Sequence, residues 1–257
     1  MGTIAIAGGL FTLNAQGDTI SASGALQITG GTFDLITAGG SASVNLTASD
    51  AFSFGGPMAQ AQTSDTEETS TSQKGIKAEG TMTITGGTFV ADTVDDCLHS
   101  GGAMLITSGE FTLSSGDDAI HADSAVTIAD GTFTIPTCYE GIEGLSVTIE
   151  GGTYAITSYD DGINAAGGAD SSGFGGRQQD QFASGSDSFI LISGGTLTIV
   201  SGGDCIDSNG DLTLNGGVLD LTCNGSENNP GGMGGGRRNA TQRQRDLAPS
   251  GPSQAAP

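Results

Sequence analysis

Short runs of alternating apolar and polar residues flank a glycine that recurs through the first 217 residues of the chain. Apolar residues stand five and three positions before the glycine, as Met82 and Ile84 do before Gly87. They resume two and four positions after it, as at Phe89 and Ala91. Apolar residues two apart predict a β-strand with one buried face, so each glycine separates two short strands.

The glycine recurs with a period of about 22 residues, a length typical of one solenoid unit. Two intervals are longer, at 56 residues from Gly31 to Gly87 and 43 residues from Gly152 to Gly195. Another apolar position, eleven residues before most of the glycines, predicts a third strand in each unit. The recurring glycines are Gly9, Gly31, Gly87, Gly109, Gly131, Gly152, Gly195 and Gly217.

Like residues at one constant spacing require parallel strands stacked in register, about 4.8 Å apart. We therefore predict an all-β fold, a single-stranded parallel β-helix of about eight coils with three short strands per coil. Its winding should be right-handed, because parallel crossover connections almost always are. Glycine at the corner between two strands tolerates the positive φ that such a bend commonly needs.

The pattern predicts one β-helical domain over residues 1–226. The excess residues in the two long intervals should form surface loops at about 47–73 and 166–187, since both segments are poor in apolar residues. Residues 227–257 contain glycine, proline and arginine and are predicted to be a disordered tail. Because the first residues already lie in a repeat strand, we expect a fragment or a processed form that lacks its export signal.

The chain is strongly acidic, with 29 Asp and Glu against 7 Lys and Arg and a net charge of −22. This charge disfavours nucleic acid and anionic membranes as partners and calls for bound cations. No apolar run approaches the roughly 20 residues that membrane insertion needs. The four cysteines fall at different phases of the repeat, so no disulfide framework is expected.

Acidic residues recur around the start of the third strand on successive coils, and we call this set the acidic ladder. Like charges on neighbouring strands repel, so the ladder should be neutralised by cations. Calcium fits, because its oxygen ligands at about 2.3–2.6 Å allow one ion to bridge carboxylates on adjacent coils. The predicted calcium ligands are Asp95, Asp96, Asp117, Asp118, Glu140, Glu143, Asp160, Asp161, Asn164, Asp204 and Asp207.

Two other interpretations of the ladder remain open. Zinc is disfavoured, because only two histidines offer the nitrogen that it prefers. The acids could instead cap turns through side-chain hydrogen bonds, as Asp often does.

A calcium ion with open positions could also accept an acidic sugar, and the elongated surface suits a polymer. The predicted ligand contacts are Lys74, Lys77, His99, His121, Tyr139 and Tyr159.

Six runs in this order resemble one bacterial family, the carbohydrate-binding domain proteins that bind calcium and acid sugars such as polygalacturonic acid. The resemblance implies a right-handed parallel β-helix related in fold to pectate lyases, calcium at the acidic positions, and a place outside the cell or on its surface. The runs are Lys-Gly-Ile-Lys-Ala at 74–78, Asp-Asp-Cys-Leu-His-Ser at 95–100, Asp-Asp-Ala-Ile-His-Ala at 117–122, Tyr-Glu-Gly-Ile-Glu at 139–143, Asp-Asp-Gly-Ile-Asn-Ala-Ala-Gly-Gly at 160–168 and Asp-Cys-Ile-Asp-Ser-Asn-Gly at 204–210.

The residues and the resemblance together predict calcium-dependent binding of a pectin-like acidic polysaccharide, without catalysis. One alternative is a pectate-type lyase that uses calcium and has Lys77 or Lys74 as its base. The scarcity of basic residues outside the tail disfavours it, because a polyuronate cleft normally needs several cationic contacts. A glycosidase would need one defined pair of carboxylates, and the repeat singles out none. A structural or adhesive surface repeat is the third class.

Overall fold

The computed structural model describes residues 1–44, 46, 72–165, 188–223 and 243–244. These residues form a parallel β-helix of about eight coils, which confirms the predicted fold class. A 3₁₀ turn at Ser41–Ser43 follows the second coil. In the described ranges, no helix is long and apolar enough to cross a membrane. The two predicted loops and the tail fall almost entirely outside the described residues.

Three series of strands repeat along the helix. The pre-glycine series comprises β1 (Ile4–Ile6), β4 (Leu26–Ile28), β7 (Met82–Ile84), β10 (Met104–Ile106), β17 (Phe189–Ile192) and β20 (Asp211–Leu214). The post-glycine series comprises β2 (Leu10–Ala15), β5 (Thr32–Thr37), β8 (Thr88–Thr93), β11 (Glu110–Ser115), β13 (Thr132–Thr137), β15 (Thr153–Ser158), β18 (Thr196–Ser201) and β21 (Val218–Cys223). The third series comprises β3 (Ile20–Ala22), β6 (Ile76–Ala78), β9 (Leu98–Ser100), β16 (Ile163–Ala165) and β19 (Asp207–Ser208).

Two long strands, β12 (Ile120–Ile128) and β14 (Ile142–Ile149), run through the third and pre-glycine series and join them into one 13-stranded sheet. The post-glycine strands form a second sheet, to which β22 (Arg243–Gln244) adds antiparallel to β21. All other pairings are parallel. Leu26 pairs with Met82 and Val147 pairs with Ile190, so the coils on either side of each long interval are direct neighbours. Both intervals are therefore insertions into a continuous stack.

The core is a set of in-register columns, because each buried position repeats on every coil. The aromatic column after the glycine shows this most clearly, from Phe11 through Phe33, Phe89, Phe111 and Phe133 to Tyr154. Neighbouring rings are parallel, with centroids 4.6–4.8 Å apart. This spacing equals the separation of parallel strands, so stacking of the rings and pairing of the strands support the same register.

The recurring glycine is required by both backbone angle and space. Gly109 has φ of 146°, and each of the other recurring glycines also has a positive φ. A Cβ on Gly109 would lie 2.7 Å from the ring of Phe111. The aromatic side chain therefore folds back beneath the corner that precedes it, and only glycine leaves room for it.

One expectation from the sequence is wrong, because Cys205 and Cys223 form a disulfide. They are 18 residues apart, a little less than one coil, so the chain returns to nearly the same place after one turn. Two cysteines at different positions of the repeat can therefore still lie close enough to form a disulfide. Cys223 pairs in register with Ser201, whose hydroxyl donates to Cys205 Sγ at 3.3 Å. Cys97 and Cys138 are buried free thiols.

Candidate functional site

The residue that follows the apolar position at the start of the third strand stands directly above its equivalent on the next coil. In register, Lys77 pairs with His99, His99 with His121, and His121 with Glu143. Glu143 then pairs with Asn164, and the last pair joins Asn164 to Asp207. The vertical alignment of these side chains on successive coils is thus present in the structure.

The acids three residues before this column have a structural role. One oxygen of Asp96 accepts the backbone N–H of Asp118 at 3.1 Å, and Asp118 accepts that of Glu140 at 3.2 Å. Asp161 likewise accepts the N–H of Asp204 at 2.6 Å. These hydrogen bonds join neighbouring coils and do not cap the turn of the acid itself, so each of these acids uses one oxygen to link two coils. The second oxygen remains for other chemistry.

Asp18 extends the ladder by one coil, and the sequence interpretation missed it. Its Oδ1 accepts the N–H of Lys74 at 2.9 Å and the hydroxyl of Ser72 at 2.7 Å. The signal was available, because Asp18 stands two residues before Ile20, as the other ladder acids stand before their apolar partners. The long interval between Gly31 and Gly87 separates Asp18 in sequence from the ladder position on the next coil, so the shared position is not obvious from spacing.

The first part of the ladder is neutralised by a lysine. Lys74 is 4% exposed, and its Nζ lies 2.8 Å from Asp95 Oδ1 and 2.6 Å from Asp96 Oδ2. Burial opposes ionisation of Asp96, but Lys74 and His99 together hold its pKa well below the usual range. Oxygens of Asp95, Asp96 and Asp117 lie within 4.8 Å of one another, as a calcium site would need. The ammonium group already lies beside two of these carboxylates, so a metal ion would have to displace it.

The middle of the ladder contains both histidines, whose rings stack with centroids 5.1 Å apart. His121 Nδ1 lies 3.1 Å from Asp118 Oδ2 and 2.8 Å from Glu143 Oε2. Its Nε2 lies 3.4 Å from Oδ1 of Asp123, another residue that the sequence interpretation missed. A register irregularity between Ala122 and Ala125 in β12 brings Asp123 to this place.

These contacts shift the pKa values of Asp118, His121 and Glu143. Burial and the nearby charge of Glu143 raise the pKa of Asp118 well above its usual value. Burial would lower the pKa of His121, but its contacts with Asp118, Asp123 and Glu143 raise it overall. Burial would raise the pKa of Glu143, and the contact with His121 lowers it. The ionisation of Asp118, His121 and Glu143 is therefore coupled.

The last part of the ladder has no internal cation among the described residues, and we call it the carboxylate end. Its members are Asp160, Asp161, Asn164, Asp204 and Asp207. Burial, followed by the charges of Asp160, Asp207 and Asp204, raises the pKa of Asp161 to about 7. Burial and the charge of Asp204 also raise the pKa of Asp207. None of these four carboxylates has an ion-pair partner in the part of the chain that the structure describes.

Asn164 is 1% exposed and lies within the carboxylate end. Its Nδ2 donates to Glu140 Oε2 at 3.0 Å, and its Oδ1 is buried without a hydrogen-bond partner. A buried carbonyl oxygen without a donor is costly, so a cation beside it would be stabilising. The predicted stacking residues lie nearby, with Tyr159 exposed by 47% next to Asp160 and Tyr139 half-buried.

A shallow groove of about 480 Å³ lies along a different edge of the β-helix, at the glycine corner. Thr88, Glu110, Asp130 and Thr132 are among its lining residues. It contains acids and hydroxyls but no basic residue, so it offers an acidic sugar no electrostatic attraction. The six-residue strands of the post-glycine series separate it from the ladder.

The stacked coils present an extended surface with an acidic column along one edge, and solenoid proteins commonly use such surfaces for binding. A sequence profile for carbohydrate-binding domain-containing proteins matches residues 1–119 and 101–177 of the chain. The protein therefore belongs to this carbohydrate-binding family. Searches of curated proteins and of solved structures gave no match.

Proposed function

We propose that the protein binds acidic polysaccharide through calcium held at the carboxylate end of the ladder, and that it does so without catalysis. The observation that carries this proposal is the buried Asn164 Oδ1, without a hydrogen-bond donor, among carboxylates that have no described cation. Asp161, Asp207 and Asn164 offer oxygen ligands only, which is the chemistry that calcium requires. A polysaccharide is the expected ligand because of the family to which the chain belongs.

Exposure at the carboxylate end favours a bridging ion over a purely internal one. Asp204 is exposed and Asp160 and Asp207 are half-buried, so an ion between them would keep positions open to solvent. A uronate carboxylate could occupy those positions, although the acidic surface would otherwise repel it. The exposed ring of Tyr159 could stack on a neighbouring sugar.

The contacts of the two lysines argue against the lyase alternative. A catalytic base must reach the proton that it removes and must be deprotonated to do so. Lys74 is buried between two carboxylates, which favour its charged form. Lys77 Nζ pairs with Glu79 Oε1 at 2.9 Å. We therefore assign binding, not elimination, to this protein.

A location outside the cell or on its surface is part of the proposal. The Cys205–Cys223 disulfide supports it, because disulfides persist mainly in oxidising compartments. A polysaccharide such as pectin would also be met there.

The test is affinity electrophoresis in gels with polygalacturonate, run with calcium and with chelator. We expect retardation with calcium that disappears in chelator and weakens at least tenfold in Asp207→Asn. Asp96, Asp118 and Asp161 each accept a backbone N–H from another coil, whereas no such bond to Asp207 is present among the described residues. The Asp207→Asn variant should therefore fold. Glu110→Gln removes the same charge at the glycine corner and should bind as wild type. Retardation that is indifferent to calcium would contradict the calcium-dependent mode of binding. No retardation with calcium present would favour a scaffold role.

A further inference from the structure

The middle of the ladder differs chemically from the carboxylate end, because an imidazole nitrogen replaces one of the oxygens. We propose that Asp118, His121 and Glu143 form a binding site for a transition-metal ion of the zinc class, separate from the proposed calcium site. One atom from each of these side chains lies within 4.8 Å of the other two. The proposal stands on this donor set and does not depend on calcium or polysaccharide binding.

The surroundings of His121 Nδ1 are the first argument. Two carboxylate oxygens lie 3.1 Å and 2.8 Å from this single ring nitrogen. The nitrogen carries at most one proton, which can make only one well-directed hydrogen bond. A zinc ion bonds nitrogen and carboxylate oxygen at about 2.0–2.2 Å, so one ion could satisfy all three atoms at once.

The donor types decide which metal the site would prefer. Calcium and magnesium take oxygen ligands, whereas imidazole suits zinc, copper, iron and nickel. The side chains of His121 and Asp118 are 2% and 7% exposed, and that of Glu143 is 17% exposed. Three protein ligands with one partly open side match a zinc site that keeps a position for water or another ligand.

The other nitrogen of His121 supports the same arrangement. Metal-bound histidines almost always donate their second ring N–H to a carboxylate or carbonyl, which sets the tautomer. His121 Nε2 is buried, has no hydrogen-bond partner, and lies 3.4 Å from Asp123 Oδ1. With a metal on Nδ1, the proton would be on Nε2 and face Asp123. A small approach of the two groups would complete the hydrogen bond.

His99 provides an internal comparison one coil away. It follows an aspartate at the same spacing, and its Nδ1 lies 2.9 Å from Asp96 Oδ2. That oxygen already contacts Lys74 Nζ at 2.6 Å, and the ammonium charge would repel a metal ion there. Lys77 stands on the preceding coil in register with His99. The site around His121 should therefore bind metal, and the site around His99 should not.

Metal-stripped protein titrated with cobalt(II) and zinc tests the proposal. We expect one equivalent of cobalt with visible absorption bands that report nitrogen and oxygen ligation, displaced by zinc. His121→Gln should lose these bands, whereas His99→Gln, its matched control, should keep them. Should His121→Gln fail to fold, as judged by circular dichroism, Glu143→Gln replaces it.

Three results would overturn the proposal. They are the absence of cobalt binding, equal binding by His121→Gln and wild type, and displacement of cobalt by an equal concentration of calcium. The last result would identify a site for hard cations. Asp207→Asn should keep the cobalt bands even where it loses retention by polygalacturonate, so the two proposals fail separately.

Discussion

At the scale of single residues, the ladder shows that one sequence pattern can serve different chemistry on successive coils. Its acids share a position in the repeat, yet Lys74, His121 and Asn164 give them different neighbours. The partner decides whether the pKa of a carboxylate is lowered or raised and whether the carboxylate remains available to a cation. The order of these neighbours divides the ladder into three parts.

Lys74→Met should lower the free energy of unfolding by about 3–5 kcal/mol, because it leaves two buried carboxylates without their cation. Lys77→Met is the control, since its pair with the exposed Glu79 should contribute no more than about 1 kcal/mol. Urea denaturation measures both. Equal losses for the two variants would contradict the buried ion pair.

The pKa of Asp161 near 7 predicts a pH dependence of stability in chelator. The folded protein holds a proton on Asp161 that the unfolded chain releases above about pH 4. The contribution of Asp161 to stability is therefore full below about pH 4 and is lost as pH rises towards 7. The difference in unfolding free energy between wild type and Asp161→Asn should change across this range. A difference independent of pH would exclude the raised pKa.

At the scale of elements, each coil depends on a corner whose glycine and aromatic residue act together. The positive φ of the glycine turns the chain, and the ring two residues later packs beneath the turn. Substitution at the corner should therefore disturb both the backbone and the aromatic column.

Gly109→Ala should lower the free energy of unfolding by about 1–3 kcal/mol or more. The alanine would have a positive φ, and its Cβ would lie 2.7 Å from the Phe111 ring. Gly8→Ala is the control, because a Cβ there meets nothing within 4 Å. Its effect should stay within about 0.5 kcal/mol. Chemical denaturation compares the two, and a neutral Gly109→Ala would refute the packing argument.

At the scale of the whole molecule, the coils are supported by their neighbours, so the ends of the described stack differ from its middle. Leu212 and Leu214 are exposed on the last described coil, whereas Ile190 and Ile192, their in-register counterparts on the preceding coil, are fully buried. The Cys205–Cys223 disulfide joins the start of this coil to the end of β21, so it restrains a coil whose apolar residues are less well covered.

Cys223→Ser should lower stability by about 3 kcal/mol, as expected for a disulfide that closes a loop of this size. Reductant should have a similar effect on wild type and none on the variant. Hydrogen exchange should show that amide protection is lost first in β20 and β21. Four reactive thiols in the oxidised, denatured wild type would show that the bridge is absent.

The sequence by itself determined the fold, the strand positions and the vertical alignment of the ladder. It could do so because a repeat places each residue above its equivalent, and the period can be read directly. Asp18 could also have been found this way, since its place before Ile20 follows the same rule.

Only the tertiary structure decided what each ladder residue contacts. The Lys74 ion pairs, the approach of Asp123 to His121 and the Cys205–Cys223 bridge all depend on where side chains lie between coils. A repeat specifies which positions are stacked, but it does not specify side-chain direction or local irregularities such as that in β12. Charge compensation depends on distances of a few ångströms, and those distances arise only when the coils pack.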